Sequence, residues 1–351
     1  MIENHLLRKD KFFCIHLMLT DDCNNRCTYC GQYAPYSEKE FSISELKKAV
    51  SFYRDWLQGR NYRFFLEGGE PTLYSQFWEF LEHLSQLGEK VVLLSNGRIP
   101  KEKYPIILSR LQDGTIEHIG LHLPVGKEPF AQTRNTEAQE FMEYLYQNGI
   151  RKKVIFLWLL HSLEACQKDV WFLLKWFTLF PWLFPSFEVA FPHPSHLKKD
   201  YMNYDMRKKA MKYMMKFFDF CIQKNIKINL WGFMLCLMDY GVEINEGQYS
   251  NVKDFFIKGK TDMAKSIELH VKNTWETTVL CNLEKNTFLE TPSIFSFLDY
   301  ETYEKDVNER IEQLQIQKEK VPELCSKCSY NGNGCSGDHF NLISQYEASR
   351  S

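Results

Sequence analysis

The sequence predicts an α/β fold in which a partial (β/α)6 barrel is followed by a small cysteine-rich C-terminal extension. Short apolar runs alternate with helical patterns through about residue 225, which is typical of parallel βαβ units with right-handed crossovers. Several of the helical patterns end at a glycine, as helices commonly do. From Ile226 onward the pattern changes to short strands and loops, with one charged helix near 301–320, and the domain boundary is expected near residue 230. We therefore expect two domains, 1–230 and 231–351.

Six strands are expected in the first domain, because each is a short apolar run bounded by polar or turn residues. Helices are expected between them, where apolar residues recur at helical spacing. The strands are expected at 12–19, 62–66, 91–94, 119–123, 154–160 and 186–191, and the helices at 42–59, 76–87, 137–147 and 171–184. In such a barrel, the chemistry is expected where the strands end at their carboxyl edge.

The first helix has a recognisable start. Ser42 and Glu45 have the spacing of a capping box, and Phe41 and Leu46 have the spacing of a hydrophobic staple. Gly59 is expected to end this helix.

Composition restricts the class of protein. The chain has 351 residues, 44% hydrophobic and 25% charged, and its net charge of −2 gives no case for nucleic-acid or membrane-surface binding. The polar start of the chain is not a signal sequence, and the most apolar segment, 171–184, is too short to span a bilayer. We therefore expect a cytoplasmic protein with no nucleic-acid and no membrane partner. In the reducing cytosol, 11 cysteines predict metal or cluster binding rather than disulfides.

The first cysteine group lies in the loop after the first predicted strand. Cys23, Cys27 and Cys30 have C-x3-C-x2-C spacing. Three thiolates can hold three irons of a [4Fe–4S] cubane and leave the fourth iron open to a catalytic ligand. A zinc knuckle and three unrelated loop cysteines are the alternative interpretations.

A glycine-rich turn follows the second predicted strand at the same end of the sheet. Gly68 and Gly69 would let the backbone approach a ligand closely, and the carboxylate of Glu70 suits a ligand ammonium group. Tyr29, between the second and third cysteines, is placed to lie against a purine ring. A plain turn and an ordinary packing tyrosine are the alternatives.

Together, these motifs resemble those of the radical S-adenosylmethionine (radical SAM) superfamily, whose members carry C-x3-C-x-aromatic-C after the first strand and GGEP after the second. The resemblance covers roughly residues 12–225 in the order of elements. It implies that the three cysteines hold a [4Fe–4S] cluster and that S-adenosylmethionine occupies the open iron. The cofactor-binding residues that it implies are Gly68, Gly69 and Glu70 at the amino group, Tyr29 near the adenine, and Ser95 and Asn96 at the end of the third strand.

The chemistry implied by the resemblance is radical chemistry. A reductase such as flavodoxin or ferredoxin supplies an electron through the cluster, S-adenosylmethionine is cleaved, and a 5′-deoxyadenosyl radical abstracts a substrate hydrogen. One departure concerns the fourth strand, where many relatives show Ser-x-Asp and this chain has Gly120-Leu121-His122. His122 is the candidate catalytic residue at this position, and a structural histidine is the alternative.

The second cysteine group lies in the C-terminal extension. Cys325, Cys328 and Cys335 have C-x2-C-x6-C spacing, and Cys281 follows a stretch rich in β-formers. The group resembles the SPASM and twitch extensions of radical SAM enzymes, which implies one auxiliary [4Fe–4S] cluster held by these four cysteines. Cys236 competes for one of the four places, and a structural zinc is the alternative occupant.

Three further cysteines are not expected to bind metal. Cys14, Cys166 and Cys221 lie in predicted strand or helix segments. We expect them to be buried and to pack as small hydrophobic side chains.

The resemblance predicts an enzyme and leaves its substrate open. Relatives with such tails often crosslink, oxidise or epimerise ribosomally made peptides, which is the first hypothesis; dehydrogenation or dehydration of a sugar or aminocyclitol is the alternative. Because the chain starts almost at its first strand, no fused leader-peptide-binding domain is expected, and a peptide enzyme would use a separate leader-peptide recognition protein or bind its substrate directly. A non-catalytic iron–sulfur electron carrier or a zinc-stabilised binding module is a different class of function. The GGEP turn and the open iron argue against it.

Overall fold

The computed structural model describes residues 12–25, 27, 40–122, 131–160, 162–181, 186–190, 204–231, 235–244, 247–258, 266–271, 277–280, 289–297, 299–316 and 323–328. Within them, ten strands form one sheet: β1 (Phe12–Thr20), β2 (Asn61–Gly68), β3 (Val91–Ser95), β4 (Ile116–His122), β5 (Val154–Leu159), β6 (Ser186–Ala190), β7 (Lys227–Trp231), β8 (Ser266–Val271), β9 (Thr277–Leu280) and β10 (Leu289–Thr291). The helices of the described residues are α1 (Ile43–Trp56), α2 (Phe77–Gln86), α3 (Tyr104–Asp113), α4 (Ala131–Gln147), α5 (Leu163–Leu179), α6 (Tyr204–Gln223), α7 (Leu235–Ile244), α8 (Ser250–Lys258), α9 (Tyr300–Ile316) and α10 (Glu323–Ser326). None of these helices is long and apolar enough to cross a membrane.

The first seven strands are parallel and lie in the sheet in chain order. Right-handed crossovers between strands in this order place the connecting helices on one face of the sheet. Consecutive helices accordingly contact one another, as α1 does α2 and α5 does α6. The predicted α/β class and partial-barrel architecture are confirmed, and the parallel strands among the described residues number eight rather than six, with β7 at one edge and β8 beside β1.

The two faces of the sheet differ in what they contact. Successive side chains of a strand point to opposite faces. On β1, Phe13, Ile15 and Leu17 are fully buried in the apolar core that the sheet forms with the helices. His16 and Met18 therefore lie on the opposite face, which we call the inner face.

Helix α1 begins where the sequence predicted, but its capping differs. Ser42 is the N-cap residue and makes no side-chain hydrogen bond to the helix backbone. Its hydroxyl lies instead 2.9 Å from the hydroxyl of Ser44, so the capping-box prediction was wrong. Phe41 and Leu46, the predicted staple, are both buried in the core.

Several helices depart from the sequence prediction. Helix α4 starts at Ala131, six residues before the predicted start at 137. Helix α3 was not predicted, although its proline lies in the first turn, where the missing N–H costs nothing, and Gly114 follows its last residue with a φ of 86°. Helix α5 starts earlier than predicted and ends at Leu179, before Pro181.

Residues after β7 extend the same sheet at its other edge. β8 pairs with β1 in parallel, and β9 and β10 add antiparallel strands beyond it. Side chains of α9 contact α1: Tyr303 is fully buried with its hydroxyl 3.3 Å from that of Tyr53, and Glu304 accepts a hydrogen bond from Trp56 Nε1 at 3.0 Å. The division into domains 1–230 and 231–351 stays a prediction.

The three cysteines expected to be apolar packing residues are buried. Cys14 is 8% exposed, and Cys166 and Cys221 are fully buried. Burial raises the pKa of the Cys221 thiol, which keeps it protonated and unsuited to bind a metal at neutral pH.

Candidate functional site

Three segments meet at the carboxyl edge of β1, β2 and β3. Residues 21–25 and Cys27 are the described part of the loop after β1, which we call the cysteine loop. Residues 68–71, the GGEP turn, follow β2, and residues 95–97, the SNG turn, follow β3. Parallel neighbouring strands end at the same edge of a sheet, which brings the three segments together.

The cysteine loop presents two of the three predicted cluster ligands. Cys23 and Cys27 are half-buried, and neither forms a disulfide. The backbone N–H of Asn25 donates to Cys23 Sγ at 3.4 Å, and Asn96 Nδ2 donates to the same sulfur at 3.7 Å. Donors of this kind stabilise a thiolate, which is the form that binds iron.

The GGEP turn lies directly against the start of the cysteine loop. The N–H of Gly69 donates to the Thr20 carbonyl at 2.7 Å, and the N–H of Glu70 donates to the Asp22 carbonyl at 2.7 Å. A Cβ at Gly69 would come within 2.5 Å of the Asp22 carbonyl carbon, and Gly68 has a φ of 136°, which favours glycine. Both glycines are therefore needed for the two backbones to approach so closely.

Glu70 holds the GGEP turn to the SNG turn. Its carboxylate is fully buried and accepts hydrogen bonds from the Thr72 N–H at 3.3 Å and the Thr72 hydroxyl at 2.8 Å. It also accepts from the Ser95 hydroxyl at 3.1 Å and from the Asn96 N–H at 2.9 Å. Burial raises the pKa of Glu70, and these hydrogen bonds oppose the rise. The predicted contact of Glu70 with a ligand amino group stays a prediction, and the carboxylate in this structure fixes the shape of the site.

A network of amides and one arginine joins the SNG turn to the cysteine loop. Asn96 Nδ2 donates to Asn24 Oδ1 at 2.9 Å, and Asn24 Nδ2 donates to the Arg98 carbonyl at 2.9 Å. The Arg98 guanidinium donates to the Asn24 carbonyl and pairs with Glu137 of α4 at 2.5 Å. Sequence reasoning missed this network, because its contacts join residues that are 39 to 74 positions apart.

A carboxylate–imidazole pair lies on the inner face beside the GGEP turn. Glu67 directly precedes Gly68, and its Oε1 lies 3.3 Å from His16 Nδ1, with 14% and 11% of the two side chains exposed. The His16 ring stacks on Phe65 with 4.5 Å between centroids and 9° between planes. Sequence reasoning missed this pair. No sequence signal was available, because only the register of β1 with β2 places Glu67 opposite Met18, which shares a face of β1 with His16.

His122, the predicted candidate catalytic residue, ends β4 and is half-buried. It pairs in register with Leu157 of β5. Two residues earlier on the same face, a Cβ at Gly120 would come within 2.5 Å of Leu94 Cδ2 and 3.1 Å of Leu157 Cδ1. His122 is thus on the inner face at the carboxyl edge, where its catalytic role stays a prediction.

The C-terminal cysteines are described in part. Cys325 is buried in α10, and the Cys328 N–H donates to its carbonyl at 3.1 Å. Cys236 lies on α7 with its Sγ 3.9 Å from the hydroxyl of Tyr204. No group of three or more His, Cys, Asp or Glu side chains suited to a metal ion occurs within the described residues. Four of the predicted site residues lie outside the described residues, namely Tyr29, Cys30, Cys281 and Cys335.

The described residues at the carboxyl edge fit an iron–sulfur cluster with a ligand beside it. Cys23 offers a sulfur that already has N–H donors, as a cluster ligand does. Gly68 and Gly69 let the GGEP turn lie directly against the loop that carries Cys23, because a Cβ at either glycine would meet the Thr20 or Asp22 backbone. Together with Cys27 and Cys30 at the predicted spacing, these residues are the ones that would hold the cluster and the cofactor.

Comparison with known sequences agrees with this site. The family model described as the Radical SAM superfamily matches residues 17–167, which span the cysteine loop and the GGEP and SNG turns. The GTP 3′,8-cyclase of Actinobacillus pleuropneumoniae serotype 3 (strain JL03) is 39% identical over 89 residues, 24% of this chain and 25% of that protein. The GTP 3′,8-cyclase of Vibrio atlanticus (strain LGP32) is 30% identical over 119 residues, 32% of this chain and 33% of that protein. The chain thus spans a quarter to a third of the length of these curated relatives.

Solved structures resemble the chain over almost its whole length. Native anSMEcpe with bound AdoMet has a TM-score of 0.64 at 15% identity, covering 96% of this chain and 95% of that chain. Native anSMEcpe with bound AdoMet and Kp18Cys peptide has a TM-score of 0.65 at 15% identity, with the same coverage of 96% and 95%. Streptococcus suis SuiB bound to precursor peptide SuiA has a TM-score of 0.64 at 14% identity, covering 97% of this chain and 74% of that chain. At these identities the likeness establishes the fold.

Proposed function

Because the chain belongs to the radical SAM superfamily, we propose that it modifies a ribosomally made peptide by crosslinking, oxidation or epimerisation. The observation that carries the radical SAM part is the cysteine loop held against the GGEP turn, with Cys23 Sγ in contact with the SNG turn. When bound, the cluster and S-adenosylmethionine supply one-electron cleavage of the sulfonium and abstraction of a substrate hydrogen. We also propose that a flavodoxin or ferredoxin delivers the electron.

Different residues at the carboxyl edge are proposed to bind the cluster and the cofactor. Cys23, Cys27 and Cys30 would hold the cluster, and the cofactor would bind to the iron that these three cysteines leave without a protein ligand. Gly68 and Gly69 are proposed to meet the amino group of the cofactor, as the resemblance implies, and their missing side chains let the GGEP turn lie against the backbone of Thr20 and Asp22. Glu70 contributes to cofactor binding indirectly, because its buried carboxylate accepts hydrogen bonds from Ser95 and Asn96 and so sets the distance between the GGEP and SNG turns.

The inner face supplies the substrate side of the site. In a barrel of this kind, the interior next to the carboxyl edge is where a substrate meets the cofactor. The His16–Glu67 pair and His122 lie on this face, so that polar groups able to bind or exchange a proton adjoin the place of hydrogen abstraction. Met18, Leu94 and Leu157 are apolar residues of the same face.

A peptide is the class of substrate that the comparisons favour. Among the similar solved structures, SuiB is bound to the precursor peptide SuiA, and one structure of anSMEcpe contains the Kp18Cys peptide. The likeness to both covers 96% or more of this chain, which includes the part after β7. A separate protein that recognises the leader of the peptide is part of the same proposal.

A reaction on a purine nucleotide is the second candidate. The observation that favours it is the 39% identity over 89 residues with a GTP 3′,8-cyclase. That match covers only 25% of the cyclase, whereas the solved structures with peptides match this chain nearly throughout.

An auxiliary [4Fe–4S] cluster in the C-terminal extension completes the proposal. Cys325 and Cys328 lie close in space, with the N–H of one bonded to the carbonyl of the other at 3.1 Å. Such C-x2-C pairs bind iron–sulfur clusters or zinc, and only the cluster can accept an electron from an oxidised substrate. Cys281 and Cys335 are the further ligands proposed, with Cys236 as the alternative to one of them.

Peptide modification can be tested with anaerobically reconstituted protein, S-adenosylmethionine, dithionite and short peptides encoded beside the gene. We expect one peptide to lose two hydrogen atoms by mass spectrometry, or to exchange a hydrogen from solvent if it is epimerised. GTP is included in a parallel reaction. Conversion of GTP with every peptide unchanged would contradict the peptide proposal and support the second candidate.

Metal analysis tests the two clusters separately. Replacing Cys23, Cys27 and Cys30 together with Ala should remove about four irons and leave about four, the content of one auxiliary cluster. Cys166→Ala, at a buried cysteine outside both groups, is the matched control and should keep all the iron. Zinc without iron in the triple variant would contradict the auxiliary cluster and leave the first cluster unaffected.

A further inference from the structure

Asn96 contacts the sulfur of a predicted cluster ligand from outside the cysteine loop. Its Nδ2 lies 3.7 Å from Cys23 Sγ, and it is buried, with 9% of its surface exposed. The Asn25 N–H, which also donates to this sulfur, belongs to the cysteine loop itself, and its position is set by the loop backbone. Asn96 is therefore the contact that side-chain chemistry can change without changing the loop.

The orientation of the Asn96 side-chain amide is fixed by a neighbouring group that can only donate a hydrogen bond. A backbone N–H can only donate, and the Arg98 N–H donates to Asn96 Oδ1 at 2.9 Å. The Asn96 nitrogen must therefore point toward Cys23 and Asn24. Asn24 is fixed in turn, because its Nδ2 donates to the Arg98 carbonyl and its Oδ1 accepts from Asn96.

The position of Asn96 is fixed as firmly as its orientation. Its backbone N–H donates to the buried Glu70 carboxylate at 2.9 Å, and the same carboxylate accepts from Ser95. The amide is thus held from both sides, by the GGEP turn and by the cysteine loop. A donor held in this way needs no rearrangement when the charge on its acceptor changes.

The electrostatic consequence has a definite sign. When a [4Fe–4S] cluster gains one electron, the negative charge shared by its sulfurs and cysteine ligands increases. An N–H that donates to one of those sulfurs stabilises the reduced state more than the oxidised state, which raises the reduction potential. Removing the donor should make the cluster harder to reduce.

We propose that Asn96 is a positioning residue that raises the reduction potential of the cluster at Cys23 through its Nδ2–H···Sγ hydrogen bond. The proposal rests on the cluster of the proposed function. It differs from the role that the family resemblance implies for Asn96, which is contact with S-adenosylmethionine.

The test is an EPR-monitored redox titration of reconstituted protein without S-adenosylmethionine. The iron content of each protein is measured first, so that only fully loaded samples are compared. Dithionite then supplies the one electron that reduces the cluster in each titration. Asn96→Leu removes the donor without adding charge and should shift the midpoint potential to more negative values. Asn96→Asp keeps an oxygen that can accept from the Arg98 N–H, so it preserves the local fold, and it should shift the potential further in the same direction because it adds a negative charge.

Asn148→Leu is the matched control, because it makes the same substitution at an exposed asparagine whose Nδ2 donates to the Tyr144 carbonyl, outside the cysteine loop and both turns. Its potential should stay close to that of the wild type. An unchanged midpoint potential in Asn96→Leu at full iron content would overturn the proposal. A shifted potential in Asn96→Asp alone would not rescue it, because the added negative charge would explain that shift. Weaker S-adenosylmethionine binding with an unchanged potential would assign Asn96 to the cofactor. Failure of the wild type to bind iron at the three cysteines would contradict the proposed function itself.

Discussion

Replacing Glu70 with Ala tests whether its buried carboxylate holds the two turns together. The substitution leaves the backbone N–H groups of Thr72 and Asn96 without their acceptor, in a site where Glu70 is fully buried. Each unsatisfied buried donor costs about 1–3 kcal/mol, and the hydroxyls of Thr72 and Ser95 can turn to other acceptors. Loss of the carboxylate also removes its own desolvation cost, which offsets part of this. We expect the free energy of unfolding to fall by about 2–4 kcal/mol.

Urea unfolding of the protein without its clusters measures this change, with an unchanged m-value as the sign that only stability has altered. Glu70→Gln keeps a carbonyl oxygen for the Asn96 N–H and should lose about 1 kcal/mol. Glu102→Ala, at an exposed glutamate, is the control and should change stability by less than about 0.5 kcal/mol. A loss below about 1 kcal/mol in Glu70→Ala, or equal losses in the Ala and Gln variants, would refute the reasoning.

The same residue gives a pH dependence with a fixed sign. Burial raises the pKa of Glu70 above its ordinary value of 4.5, so the folded state holds this proton more tightly than the unfolded state. The stability of the wild type should therefore fall as pH rises from 4.5 through the raised pKa. Glu70→Gln has no proton to lose there, and the stability difference between the two proteins should change with pH across that window.

Two further predictions concern Gly69 in the GGEP turn and Glu304 in helix α9. Gly69→Ala would place a Cβ within 2.5 Å of the Asp22 carbonyl carbon, so we expect the free energy of unfolding in urea to fall by about 1–3 kcal/mol. We also expect weaker S-adenosylmethionine binding, measured by calorimetry. Unchanged binding would contradict the role of the GGEP turn in cofactor binding. Glu304→Ala removes the acceptor of Trp56 Nε1 and of Arg60 Nη2, each at 3.0 Å, and should cost about 1–3 kcal/mol. A cost below about 0.5 kcal/mol would show that this contact between α1 and α9 contributes little to stability.

The parts of the fold that sequence predicted are those in which local pattern decides the structure. The six predicted strands are apolar runs with turn residues at their ends, and all six are strands of the sheet. β7 was missed because it is short and follows a long charged helix, so it resembled the start of the tail. The pairing of β8 with β1 joins residues about 250 positions apart, and no local pattern encodes such a register.

The candidate site divides in the same way. Spacing predicted that Cys23 and the GGEP turn would meet at one edge, and the hydrogen bonds between residues 20–22 and 69–70 show that contact. Spacing could not reveal that the Glu70 side chain turns inward to Ser95 and Asn96, because an exposed carboxylate and a buried one look alike in a sequence. The His16–Glu67 pair was missed for a related reason: its two members belong to different strands, and only the register of β1 with β2 brings them together.

The most direct measurement of the central claim is chromatographic detection of 5′-deoxyadenosine after anaerobic incubation of the reconstituted, dithionite-reduced chain with S-adenosylmethionine. We predict 5′-deoxyadenosine and methionine in equal amounts from the wild type, and neither from the variant in which Cys23, Cys27 and Cys30 are all Ala. A wild-type protein that shows the EPR signal of the reduced cluster and binds S-adenosylmethionine, yet forms no 5′-deoxyadenosine with or without candidate substrates, would contradict the assignment as a radical SAM enzyme.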